Sequence, residues 1–127
     1  MSKKSKILIV LIVLGLLIFI LFVSINKYSE AKNNSYYYKQ EEKMLNATKK
    51  YFSNYKAYLP KEINKSTRVV LNALVKEKYL KQIKDINNYN CDNYKSYVEV
   101  TKIDDEEYLY KAHLECDKAG YITKEKE

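Results

Sequence analysis

Four groups of residues carry side chains that could do chemistry. They are Cys91 and Cys116, the lone His113, the acidic run Asp104 to Glu107, and the consecutive tyrosines Tyr36, Tyr37 and Tyr38. Two cysteines permit one intramolecular disulfide, a bond that persists in oxidising surroundings. Closing a loop of this size contributes ~3 kcal/mol on a chain-entropy account. Metal ligation is the competing use, but two Cys and one His without Cys-x-x-Cys spacing fall short of a zinc site. His113 lies between Lys111 and Glu115 on a segment of alternating polarity. A general base also needs a nucleophile and an orienting partner, and the sequence supplies neither, so the expectation is a solvated histidine. The four carboxylates lack the spaced acidic positions and the glycine of a calcium loop and are expected to form a turn. No catalytic, cofactor-binding or metal-ligating residue is assigned, and no enzyme activity is expected.

The three tyrosines admit a different use. Successive helical residues point ~100° apart, so one or two of them pack inward and at least one faces solvent. With Lys32 and Lys39 alongside, they form a candidate contact with lipid, an anionic wall polymer or a partner membrane or cell-envelope protein. Interleaved Tyr and Lys also suit single-stranded nucleic acid. Here the pattern is diffuse, with 14 Tyr spread along the chain and Lys supplying every basic residue except Arg68, so nucleic acid is not the expected partner.

These residues depend on one dominant stretch. Ile7 to Ile25 holds no charge, and only Gly15 and Ser24 interrupt its apolar run. At ~1.5 Å per residue it spans ~28 Å, close to the hydrocarbon thickness of a bilayer. Lys3, Lys4 and Lys6 precede it, a bias that keeps residues 1–6 in the cytoplasm and sends the rest outside. The competing reading is a secreted domain freed by signal cleavage. Cleaved signals have shorter apolar regions and a small-x-small site, and the nearest such triplet, Ser29-Glu30-Ala31, carries a charge. Gly15 has no small residue four positions away, so no close-packed helix-dimer motif is present. With the three leading lysines set aside, twenty basic residues face sixteen acidic ones, a modest excess compatible with an anionic surface.

The remainder reads as one small domain over residues 35–123, after a polar stalk at 26–34 and before a short tail at 124–127. Ser35 offers an N-cap for an amphipathic helix running to Leu59. Tyr37, Met44, Ala47, Tyr51, Phe52, Tyr55, Tyr58 and Leu59 form its apolar stripe, and Pro60 stops it. A continuous helix from the apolar run is the alternative, weakened by Asn33-Asn34. Ser66 or Thr67 caps a second, shorter helix, although Arg68-Val69-Val70 also suits an extended entry. Tyr79, Leu80 and Ile83 read as core anchors ahead of an Asn-rich loop. The period then changes from 3.6 to 2. Ser96 to Ile103 and Tyr108 to Cys116 alternate and form an antiparallel hairpin around the acidic turn. Tyr121-Ile122-Thr123 adds a short strand after Gly120. The fold class is thus α+β: an N-terminal transmembrane helix, a long amphipathic helix, a short helix, and a small antiparallel sheet of two to four strands.

This order of parts resembles the type IV pilin and type II secretion pseudopilin architecture. The strings Met44 to Tyr51, Leu59-Pro60, Leu71 to Leu80, Ile83-Lys84-Asp85, Cys91, Ser96 to Val100 and Tyr108 to Cys116 look like a pilin-like surface domain of low-GC Gram-positive bacteria, over about residues 40–123. The resemblance implies a non-catalytic binding or assembly domain on the cell surface, or a minor component of a secretion or DNA-uptake machine. It implies no cofactor. The Gly-Phe-Thr-Leu-x-Glu type junction of prepilins is missing, since Ser5-Lys6 leads directly into Ile7. The resemblance therefore carries the fold and not filament assembly.

Overall fold

The computed structural model describes residues 2–124, apart from the side chains of residues 25–32. The chain forms two compact units, Met1–Ser35 and Tyr36–Glu127, and residues 125–127 of the expected tail lie outside the described residues. The first unit is helical. One helix, α1 (Lys3–Asn54), begins in it and continues into the second unit. Its segment Lys3–Ser24 is long and apolar enough to cross a membrane, and none of it is buried among the described residues. Every large apolar side chain from Ile7 to Val23 is exposed.

The expected break before Ser35 does not occur, because α1 passes through Asn33, Asn34 and Ser35. Asn and Ser each cost a few tenths of a kcal/mol inside a helix, whereas starting a second helix requires a new nucleus. Propagation therefore wins over the capping signal. The far end also differs, with α1 stopping at Asn54 rather than Leu59. A short 3₁₀ turn follows at Lys56–Tyr58, and Leu59 is extended at ψ 147°, as a residue before proline must be. Tyr55 and Tyr58, expected on the core stripe, are exposed as a result.

The second unit buries Tyr37, Met44, Ala47, Thr48 and Phe52 of α1 with Leu71, Leu74, Ile83, Val98, Val100 and Leu114. The residues following Lys65 correct the sequence reading. Ser66–Val70 is a strand, β1, and the short helix α2 covers only Leu71–Lys76. Thr67, Val69 and Val70 favour a pleated surface, and β1 pairs antiparallel along the edge of β2 (Tyr97–Lys102), with Val69 opposite Val98. The Ser66 hydroxyl bonds the Thr101 hydroxyl at 2.6 Å and so supports the strand instead of capping a helix. Loop carbonyls cap α2: Leu71 N–H donates to Ser96 O at 2.8 Å and Asn72 N–H to Asn93 O at 2.9 Å, satisfying donors that a helix start leaves open.

β2 pairs on its other side with β3 (Tyr108–His113), Tyr97 lying opposite His113 and Lys102 opposite Tyr108. The sheet order is β1-β2-β3, and the acidic run forms the turn, closed by Ile103 N–H to Glu107 O at 3.0 Å. The second hairpin strand was expected to continue to Cys116, but it ends at His113. Leu114 bonds Thr123 instead, its N–H donating to Oγ1 at 2.7 Å and its carbonyl accepting from Thr123 N–H at 3.0 Å. Glu115–Cys116 (β4) then pairs with Tyr121–Ile122 (β5) as a separate two-stranded sheet. The cause lies across the hairpin, where β2 has no residue left to offer. Ser96 directs its hydroxyl at Glu115 N–H (3.0 Å), and the chain before it is curled by Asp92, whose Oδ1 accepts from Tyr94 and Lys95 N–H at 2.9 Å. Gly120 supplies the left-handed turn into β5 at φ 67°.

Candidate functional site

The disulfide joins Cys91 and Cys116, both buried, across 25 residues. It ties the Asn-rich loop to β4. The same loop is gripped from α1 by two of the three candidate tyrosines. Tyr36 O–H donates to Lys84 O at 2.7 Å, and Ile86 N–H donates to the Tyr37 hydroxyl at 3.3 Å. Inside the loop, buried Asp85 accepts from Asn87 and Tyr89 N–H through Oδ1, each at 2.9 Å. Its Oδ2 makes no hydrogen bond among the described residues. Burial, then the neighbouring Tyr37 and Asp85, push the Tyr36 hydroxyl above the usual tyrosine range. The tyrosine triplet therefore divides: Tyr36 and Tyr37 build the domain, and Tyr38 alone, 58% exposed, is available to a partner or lipid.

The expected solvated His113 is half-buried. Its ring stacks on Tyr97 with centroids 4.9 Å apart, and Nε2 lies 2.9 Å from Glu115 Oε1. The Arg68 guanidinium stands 4.2 Å from the Tyr97 ring centre and 3.8 Å from Glu99. The one histidine and the one arginine thus meet on the same tyrosine, as cross-strand neighbours on the sheet face that carries Glu99 and Lys111. Among the described residues, no three His, Cys, Asp or Glu side chains gather as metal ligands. The carboxylates of Asp104 to Glu107 are all exposed.

A group that periodicity misplaced forms an open aromatic surface on the second unit. Tyr51, Tyr55 and Tyr58 run in series, with ring centroids 4.8 Å and then 6.0 Å apart. Tyr79 abuts Tyr51 edge-on at 5.7 Å, and its hydroxyl accepts from Asn54 Nδ2 at 2.7 Å. Tyr58 is 65% exposed. Glu77 stands close enough to push the Tyr55 hydroxyl upward, with Tyr79 adding to the effect. Beside Tyr79 runs a shallow groove lined by Val75, Lys78, Tyr79, Leu80, Lys81 and Gln82. The sequence signal for this surface was the Tyr-x-x-x-Tyr-x-x-Tyr spacing at 51, 55 and 58, which reads equally as a core stripe.

The groups exposed at this surface are aromatic rings, hydroxyls, amines and one carboxylate. The fold that presents it is a disulfide-tied α+β domain built on the continuation of an apolar N-terminal helix. Compared with known proteins, the chain matches no family model, no curated protein and no solved structure.

Proposed function

We propose that this chain is a single-pass membrane protein with a cytoplasmic N-terminus, displaying residues 35–123 outside the cell as a non-catalytic binding or assembly domain. The observation that carries the reading is the apolar helix Lys3–Ser24, none of which is buried among the described residues. An apolar run of this length left bare in water would be an aggregation site, whereas a bilayer covers it. The leading lysines set the orientation. The Cys91–Cys116 bond agrees with an oxidising outer compartment. Treating intact cells with external protease tests the topology. The proposal requires digestion of the second unit, and a fully protected domain rejects it.

A second reading is a minor pseudopilin-like component of a secretion or DNA-uptake machine. It draws support from the way α1 lays Met44, Ala47, Thr48 and Phe52 into a core with an antiparallel sheet. Crosslinking in membranes separates the two: this reading requires recovery with a filament or secretion complex.

A further inference from the structure

We infer that the surface formed by Tyr55, Tyr58, Tyr79, Lys78 and Lys81 binds an acidic glycan, a chain of sugar rings bearing carboxylate or phosphate. The inference rests on the extracytoplasmic placement proposed above, because envelope glycans are met on that side.

Three independent observations converge on this surface. First, the tyrosines are placed for stacking rather than for the core. Tyr55 and Tyr58 leave the helical stripe because α1 ends before Pro60, and they stay exposed while Tyr51 and Tyr79 brace them from behind. A pyranose ring has an apolar C–H face that lies against an aromatic face, and tyrosine adds a hydroxyl at the rim. Second, the adjoining groove carries cations without a counter-charge. Lys78 and Lys81 line it, and among the described residues neither lies within salt-bridge distance of a carboxylate, since the ion pairs are Arg68–Glu99, Lys95–Asp117 and His113–Glu115. Third, Lys78 occupies a position where glycine is the usual residue. Tyr79 N–H reaches back to Leu74 O at 2.9 Å and Lys78 N–H to Val75 O at 3.1 Å, closing α2 in a Schellman turn. Lys78 sits at φ 64°, a left-handed conformation that strains any side chain with a Cβ. The chain bears that strain at a lysine that lines the groove beside Tyr79.

Together these features give a row of ring faces flanked by unpaired ammonium groups. Rings alone would suit a neutral glycan and amines alone a polyanion; the combination selects a polymer that is both. Glu77 at the rim adds an acceptor for sugar hydroxyls.

The test uses the full chain in nanodiscs of uncharged phosphatidylcholine. The sequence has no Trp, so Tyr58→Trp places the chain's one indole at the surface, excited selectively at wavelengths beyond tyrosine absorption. Hyaluronate oligosaccharides are the probe, with dextran supplying rings without charge and polyphosphate supplying charge without rings. The expected result is a saturable emission change with hyaluronate and binding at least about tenfold weaker to either control. Tyr58→Ala, followed calorimetrically, should weaken hyaluronate binding by about tenfold, the size of one lost aromatic contact. Lys78→Gly separates binding from folding: its melting temperature should hold or rise as the strain is relieved, while binding weakens and its salt dependence falls. The inference is overturned if hyaluronate gives no saturable response, if polyphosphate binds as tightly, if anionic vesicles shift the emission instead, or if Lys78→Gly binds like the parent. External protease on intact cells reports the topology separately. Accessibility without glycan binding rejects this site alone, and glycan binding in nanodiscs with a protected domain rejects the extracytoplasmic placement.

Discussion

Tyr37 of α1 and Tyr121 of β5 stack face to face, with ring centroids 4.0 Å apart and planes 10° from parallel. The contact joins residues 84 positions apart and seals the last strand onto the helix. A polar clasp reinforces it, since Glu41 Oε1 accepts from Tyr121 O–H at 2.5 Å and from Thr123 O–H at 2.7 Å. Burial, followed by the bond to Glu41, pushes the Tyr121 hydroxyl far above its ordinary value of 10.0. Folding therefore favours the protonated hydroxyl. Its contribution is complete below pH 10.0 and is lost as pH climbs toward the raised folded value. Melts between pH 8 and 11 should show stability falling at the alkaline end, and Tyr121→Phe should flatten that fall. At neutral pH the same substitution should cost about 1–2 kcal/mol, because Glu41 loses a donor while the stack remains.

The disulfide closes a 25-residue separation, and the chain-entropy relation gives about 3.5 kcal/mol for a loop of that length. Denaturant titration of the Cys91→Ser/Cys116→Ser variant should show a loss of that order. The loop Lys84–Asn90 should loosen first, because few other ties hold it: the hydroxyls of Tyr36 and Tyr37, the Lys118 ammonium over the Tyr89 ring, and the Cys91 N–H to Ile83 O bond.

Within that loop, Asp85 organises two backbone amides through one oxygen. Asp85→Ala should cost about 1–3 kcal/mol, since it removes the charged acceptor that closes the loop on two amides. Hydrogen exchange should quicken at the Asn87 and Tyr89 amides well before it changes at Val98 or Val100, which are fully buried in β2.

Between α1 and the 3₁₀ turn that follows it, position decides the outcome of truncation. Met44 is fully buried whereas Tyr58 is 65% exposed. Met44→Ala should destabilise by about 2–5 kcal/mol through the cavity it leaves. Tyr58→Ala should fall within about 0.5 kcal/mol of the parent, as surface changes do. Chemical denaturation of both variants checks the contrast. A large loss at Tyr58 would mean that the exposed tyrosines serve folding, leaving them no separate binding role.

Much of this architecture was legible in the chain. The Ile7–Ile25 run announces an apolar helix long enough to span a membrane, and the helical rhythm of Tyr37, Met44, Ala47 and Phe52 marks the buried stripe. The switch to period two at Ser96 marks the hairpin, and the two cysteines mark the cross-link. What failed to read through depended on partners distant in sequence. Ser66 and Thr67 look like helix caps until the edge of β2 is there to pair with them. Leu114 continues an alternating pattern and yet changes partner, because Ser96 and Asp92 turn the facing strand away. Ser35 signals a helix start that an existing helix overrides. The aromatic surface was hidden for a related reason: Tyr55 and Tyr58 keep helical spacing with Tyr51, and only the early end of α1 before Pro60 swings them out of the core.

The most direct test of the membrane-anchored reading is the intact mass of the chain extracted from membranes, recorded before and after reduction and thiol labelling. The account predicts the unprocessed chain, two hydrogens lighter than its reduced form, with no thiol labelled until the Cys91–Cys116 bond is broken. A chain beginning near Lys32 would contradict it by making this a secreted domain. Two thiols labelled without reduction would contradict both the disulfide and the outer placement of the domain.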